Sequence, residues 1–287
     1  MKNKILLPLI FTCLKFNLYA QKDDGRTITI PVIFHILYID DNADNGMSDG
    51  VKNSKTGNST THLPKEKIQA ELDQLDKDFR QLNDISKVIS EYKSVVGNAK
   101  IHFTLRNIIY VKTNRISILR LSNSERLHKI SPMQNNDSCL NVYISVLKVS
   151  GGGSEGVTNV PSRSLPESDA VNLNYSWVGL GYHLLSHEVG HWLGLWHIDD
   201  EQQLDSTLIT DIPVQTGLTD IPCVLCTIPS VEVMQKQRSQ FSKPNTNNFM
   251  DYSGCRAMFS LKQCSYMRNL IIRLRPVIWN NSVAAKH

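Results

Sequence analysis

Apolar residues follow two different spacings along the chain, and the change from one to the other predicts its elements. Over residues 28–38 (ITIPVIFHILY) β-branched and aromatic side chains run almost without a break, with Pro31 near the start, which reads as a buried strand. His35 within it is expected to be a core side chain, not a ligand. From Pro64 the spacing changes: Ile68, Leu72, Leu75, Phe79 and Leu82 recur every three or four positions with charged residues opposite. That period puts them on one face of a helix opened by Pro64, whose missing N–H costs nothing at the first helical position. Further strands are expected over about 101–108 and 140–147, and at 157–160 and 171–177. Residues 111–138 fit neither period. Gly151, Gly152 and Gly153 read as a turn, since no Gly-Lys-Ser/Thr follows to make a phosphate loop. The last helix begins at Ser260, with Gln263 three residues on as a capping box, and runs to about Arg275 before Pro276. Residues 40–61 are polar and 198–247 are broken by Pro213, Pro222, Pro229 and Pro244, so both read as loops.

At 287 residues and 41% hydrophobic, the chain suits one large domain or two lobes. Its first twenty residues differ: Lys2 and Lys4 precede an apolar run, and Leu18-Tyr19-Ala20 ends in a small residue before Gln21. That is a secretory signal pattern, too short to span a bilayer, and no later stretch approaches a span. Residues 1–20 are therefore expected to be removed, leaving 21–287 as an exported chain, extracellular or periplasmic. Of the 31 basic residues, 28 remain without Lys2, Lys4 and Lys15, against 27 acidic ones, a net of +1. Such balance gives no reason to expect nucleic acid as a partner. Oligomeric state is not legible. The mature cysteines are Cys139, Cys223, Cys226, Cys255 and Cys264, for which export makes disulfides the expected use, and an odd count leaves at least one over.

The chemistry concentrates in His187-Glu188-Val189-Gly190-His191-Trp192-Leu193-Gly194-Leu195-Trp196-His197, which fits HExxHxxGxxH. On a helix, residues four apart share a face, so His187 and His191 can hold one metal ion. Glu188 lies about 100° around the helix, better placed to grip a water than to ligate. Gly194 supplies a positive-φ turn that ends the helix and returns His197 as third ligand. Three neutral imidazoles suit zinc and leave a fourth position open, as a catalytic site requires. The glycine and third histidine cut the chance of a random match by about 500-fold, so coincidence is a poor account.

These eleven residues resemble the metzincin zinc endopeptidases, and HEVGHWLGL resembles their pappalysin family. Asn247-Asn248-Phe249-Met250-Asp251-Tyr252-Ser253, followed by Cys255, Met258, Phe259 and Gln263, is similar to a second segment of that family. The resemblance implies an α+β fold: a twisted mixed sheet with long helices in an N-terminal lobe, about 27–194, and a loop-rich C-terminal lobe, about 195–280, around a zinc cleft. It implies Met250 in a tight turn beneath the metal, Tyr252 beside metal and substrate, and a substrate-pairing edge strand near residues 154–161. It also implies a disulfide from Cys255 to Cys223 or Cys226, and calcium as a further cofactor near Asp211-Ile212-Pro213. The implied activity is cleavage of internal peptide bonds in protein or peptide substrates, with Glu188 as base. A silent zinc- or protein-binding module of the same fold is the alternative. The family's acidic residues after the methionine turn are absent; Arg256 stands there as a specificity candidate that would disfavour basic side chains. With no room for a long pro-segment, Asp23 or Asp24 is the candidate to cap the metal in a latent form.

Overall fold

A computed structural model describes residues 22–39, 63–113, 124–145, 148–149, 152–153, 156–158, 160–161, 167–199, 208–212, 215 and 245–284. The leader, most of the two long loops, Cys223 and Cys226 lie outside the described residues. The fold is mixed α+β, built on a five-stranded sheet in the order β2-β1-β3-β7-β6. Strands β1 (Ile28–Ile39), β2 (Ile101–Thr113), β3 (Leu140–Ser145) and β7 (Val171–Asn174) are mutually parallel. Strand β6 (Gly156–Thr158) runs antiparallel to β7 at the sheet's edge. Between β3 and β6, β4 (Lys148–Val149) and β5 (Gly152–Gly153) pair as a short ribbon, so two of the three consecutive glycines are paired backbone rather than bare turn.

Parallel strands must be covered on both faces, which explains why β1 is apolar nearly throughout. Ile28, Ile30, Val32 and Phe34 join Ile68, Leu72, Leu75 and Phe79 of helix α1 (Lys65–Phe79) in one core. Each of those buried side chains contributes roughly 1.5–3 kcal/mol. Two expectations shift by a residue or a turn. Pro64 is the N-cap of α1, one position before its expected place. Leu82 falls off the stripe and is 58% exposed, because Gln81 turns to φ 55° and ends the helical repeat. In the stretch that fits neither period, β2 continues to Thr113 and helix α2 covers Ser124–Ile130. The expected strand at 171–177 closes at Asn174, whose side chain caps a 3₁₀ turn, Tyr175–Trp177.

Helix α3 (Leu184–Trp192) carries the histidine motif and is buried along its whole length. It lies against α1, β6 and β7. Helix α4 (Leu261–Leu274) starts with the expected capping box: Ser260 Oγ accepts from Gln263 N, and Gln263 Oε1 accepts from Ser260 N. Pro276 does not end the helical region but opens a further helix, α5 (Pro276–Ala284), which packs on β1.

Candidate active site

Helix α3 is fixed at both ends by side chains remote in sequence. At its N-terminus His183 adopts a left-handed conformation, and its Nδ1 lies 2.7 Å from Asp78 Oδ2 of α1. Ser186 Oγ donates to that same oxygen at 2.6 Å. At its C-terminus Leu195 N donates to Gly190 O and Gly194 N to His191 O, with Gly194 at φ +89°. Those paired bonds are a Schellman stop, and a side chain at Gly194 would also run into Leu270 at 2.4 Å. Past this stop, Arg275 lies 3.4 Å over the Trp192 ring, donates to the Trp192 carbonyl and grips Asp169 with both Nη atoms.

The turn brings His187, His191 and His197 together, the group of metal-binding side chains found among the described residues. His197 Nε2 is 3.2 Å from His187 Nε2 and 3.1 Å from His191 Nε2. A tetrahedral zinc ion with bonds of 2.0–2.1 Å would separate its ligand atoms by about 3.3 Å, so the three nitrogens fit one ion. In the two helical histidines the other ring nitrogen is committed to a carbonyl: His187 Nδ1 donates to Phe249 O and His191 Nδ1 to Leu195 O, both at 2.7 Å. Those bonds fix the tautomer that leaves Nε2 bare for a metal. Burial, then the charges of His191, Arg256 and His197, push His187 well below the ordinary imidazole range, so it is present as the neutral ligand form.

Glu188 is 5% exposed and faces the edge strand. A Cβ on Gly156 of β6 would fall 2.5 Å from Glu188 Oε1 and 2.8 Å from its Cγ, so only glycine lets the strand pass this close. The strand expected near 154–161 is thus present at the edge and in contact with the expected base. The turn around Met250 runs directly beneath the triad. Met250 N donates to Asn248 Oδ1, and Asn248 and Gln263 exchange two side-chain hydrogen bonds. Gly190 makes room for the methionine, since a Cβ there would meet Met250 Sδ at 2.5 Å. Tyr252 is 49% exposed, its ring centroid 4.8 Å from that of His197.

Other expected residues take different places. Asp23 is held by Arg268 and Asp24 by Arg26, so neither carboxylate caps the triad. Asp211 accepts from Ser260 Oγ and Lys262 N, which commits it to the start of α4, and no calcium site is supported there. Cys139 and Cys264 are free and buried, whereas Cys255 is disulfide-bonded. Sequence reasoning passed over Asp78, Gly156, Gly190, Asp169 and Arg275. Gly190 had a signal, as a glycine inside a helix that costs about 1 kcal/mol and so calls for a packing reason. The others act across the fold and leave no local trace.

The peptidase M43 family profile, described as pregnancy-associated plasma protein-A, matches residues 128–272, half of the chain, and this span holds the triad and the Met250 turn. The chain belongs to this family. It is therefore a pappalysin-like metzincin and a metallo-endopeptidase by family, and the family implies zinc at the triad. Among solved structures it is similar to mature mirolysin of Tannerella forsythia in complex with a cleaved peptide, at 24% identity and TM-score 0.65, covering 90% of this chain and 98% of that one. A promirolysin mutant of the same organism matches at 23% identity and TM-score 0.69, covering 91% and 86%. Mirolysin in complex with compound 9 gives 23% and 0.63, covering 87% and 95%. At these identities the likeness is one of fold. No curated protein matches the chain. No helix among the described residues is long and apolar enough to cross a membrane.

Proposed function

We propose that this protein is an exported zinc endopeptidase in which Glu188 is the general base. The observation that carries the reading is the meeting of three elements: three Nε2 atoms within reach of one ion, a carboxylate from the same helix, and an antiparallel strand edge against that carboxylate. His187, His191 and His197 would hold the zinc ion, which would supply Lewis acidity to a bound water and to the scissile carbonyl. Glu188 accepts the proton of the attacking water and hands it to the leaving amine. Tyr252, beside the triad and open to solvent, donates a hydrogen bond to the developing oxyanion, a contact worth about 3 kcal/mol at the transition state. The edge row of β6 pairs with the backbone of an extended peptide, a mode that tolerates many sequences. Mirolysin's complex with a cleaved peptide supports a peptide ligand on this fold.

In this reading residues 1–20 are a signal peptide, 21–287 form one catalytic domain, and Cys255 pairs with Cys223 or Cys226. The competing reading, a silent binding module, needs the three histidines but has no use for Glu188. The test compares wild type with Glu188→Ala on a mixed peptide library, with zinc measured on both. Equal zinc, with cleavage by wild type alone and a loss of 10³-fold or more in the variant, is the expected outcome. Equal zinc with no cleavage by either protein would favour the binding module.

A further inference from the structure

Three left-handed residues in five lead into α3: Gly179 at φ 84°, Gly181 at φ 70° and His183 at φ 55°. His183 is the irregular one. It is the N-cap of α3, makes no side-chain cap, and sits in a backbone region that favours glycine. Such a conformation persists only where its surroundings impose it. Here α1 does so. Glu71 Oε1 accepts from Gly179 N at 2.5 Å, and seven residues on, along the same face of α1, Asp78 Oδ2 accepts from His183 Nδ1 and Ser186 Oγ. Gln74, between them, donates to the other oxygen of Asp78 at 2.8 Å. Arg256, 6% exposed, donates from Nη1 to the Tyr182 carbonyl at 3.1 Å and holds the same loop from the segment after Tyr252. The Asp78 side chain is fully buried, and its α1 neighbours Leu72, Leu75 and Phe79 are locked into the core shared with β1.

We propose that Asp78 is a positioning residue for catalysis: through Ser186 and His183 it sets where the first turn of α3 stands, and with it the placement of Glu188. This rests on the endopeptidase reading above, in which Glu188 is the base. A nine-residue helix is too short to hold itself, so contacts decide its place. Leu184, Leu185, Val189 and Trp192 bury it in the core, but apolar packing has no direction. The two hydrogen bonds to Asp78 Oδ2 supply direction, one coming from the N-cap and one from the residue before His187. Glu188 has no slack of its own. Gly156 of β6 is so near that a Cβ there would fall 2.5 Å from Oε1, and a small shift of the helix presses the carboxylate into the strand or draws it away. The metal-binding histidines are secured differently, because Phe249 O and Leu195 O hold His187 Nδ1 and His191 Nδ1 from outside the first turn. Asp78 therefore governs the base more than the metal.

The experiment measures kcat, KM and zinc affinity for wild type, Asp78→Ala, Asp78→Asn and Ser186→Ala, with melting temperature to report folding. Acetohydroxamate binding to the zinc-loaded proteins is a readout that needs no turnover. This probe chelates zinc through two oxygens and leaves a proton for a neighbouring carboxylate, so its affinity reports Glu188 as well as the metal, with Glu188→Ala as the reference. Asp78→Ala is expected to lower kcat by about 30-fold and acetohydroxamate affinity by about tenfold, with KM and zinc affinity within about threefold of wild type. Asp78→Asn keeps an oxygen for both donors and should restore kcat to within about threefold of wild type. Ser186→Ala removes one of the two bonds and should lower kcat by about fivefold, which makes it the second route if Asp78→Ala does not fold. The two losses should not add: Asp78→Ala combined with Ser186→Ala should match Asp78→Ala alone. Unchanged kcat and acetohydroxamate affinity in whichever of these variants folds, or a loss of zinc affinity as large as the loss of kcat, overturns the inference and leaves the endopeptidase reading intact. A zinc-loaded wild type that cuts no peptide overturns the endopeptidase reading, and acetohydroxamate then decides the inference by itself. Binding weakened by Asp78→Ala as by Glu188→Ala upholds it, and binding left unweakened overturns it.

Discussion

Strand β1 and the turn around Met250 are equally sealed from solvent, and they are held by opposite means. In β1, Ile28, Ile30, Val32 and Phe34 are all at 0% exposure and interlock with α1 as pure apolar packing. In the turn, Asn245, Asn247, Asn248 and Asp251 are also at 0%, alongside Phe249 and Met250. There the geometry comes from side-chain amides gripping backbone. Asn247 accepts from Ile89 N and donates to the carbonyl of Cys255, while Asn248 ties Gln263 to Met250 N. An apolar core is non-directional and survives exchange for another shape of similar volume. An amide network fixes atoms to tenths of an ångström, and each broken member strands a partner in a place without water. The carbonyl that orients His187 belongs to Phe249, so the precise scaffold stands where the metal needs it and the forgiving one where only bulk is needed.

Asn248→Ala attacks this contrast most directly. It removes two bonds to Gln263 and the one to Met250 N, at a cost of about 3 kcal/mol of stability. Because the same turn carries the Phe249 carbonyl, zinc affinity should fall by about tenfold as well, measured by competition with a chelator. If zinc binding were unchanged while stability fell, the network would be mere filler and the contrast would fail.

Gly190→Ala probes the seam between α3 and the turn. The added methyl group would sit 2.5 Å from Met250 Sδ, so the methionine must swing away. Thioether chains are adaptable, and about 1–2 kcal/mol is expected by urea unfolding, with reduced turnover. Gly190→Ala combined with Met250→Ala should recover part of that loss. Ile30→Val, on the apolar side of the comparison, should cost about 1 kcal/mol and leave zinc affinity and turnover alone. An effect of Ile30→Val on the metal would mean that the sheet, too, sets the site's geometry.

The same contrast explains what could be read from the sequence. Periodic apolar patterns made β1 and α1 legible, and HEVGHWLGLWH gave α3, its Gly194 stop and the meeting of the three histidines, because spacing along a helix is local. Asn247 and Asn248 stood out only through family resemblance. What they do was not legible, since the partners Ile89 and Gln263 lie 158 and 15 residues away. Asp78 shows the same limit: on α1 it reads as one more polar-face residue, yet it is 2% exposed and anchors His183 and Ser186 at the head of α3. Pro276 marked the end of α4 where expected, but the helix it opens was missed, because proline ends one helix and begins the next with the same restricted φ. Gly156 carried no local signal at all, since the need for glycine there comes from the Glu188 side chain of another element.

The smallest predicted effect concerns a polar inset within the sheet itself. His35 of β1 is at 0% exposure, stacked on Tyr143 at 4.3 Å, with Nδ1 2.6 Å from Ser131 Oγ and Nε2 2.9 Å from Asn141 Oδ1. The amide oxygen requires the proton on Nε2, so Nδ1 accepts from the serine and the ring is neutral. Burial holds its pKa below the ordinary imidazole value of 6.5, more strongly than the bond to Asn141 raises it. The folded state therefore takes up a proton at lower pH than the unfolded state does. The stability due to the neutral ring is complete above about pH 6.5 and declines as pH falls through that value toward the folded pKa. His35→Gln, which keeps one donor and one acceptor, should lower stability modestly at pH 7.5 and show a shallower fall in melting temperature between pH 7 and pH 5. Parallel melting curves for the two proteins across that interval would mean that the inset does not titrate on unfolding. His35 would then act like the amides around Met250, as a fixed hydrogen-bonding group set into an apolar sheet.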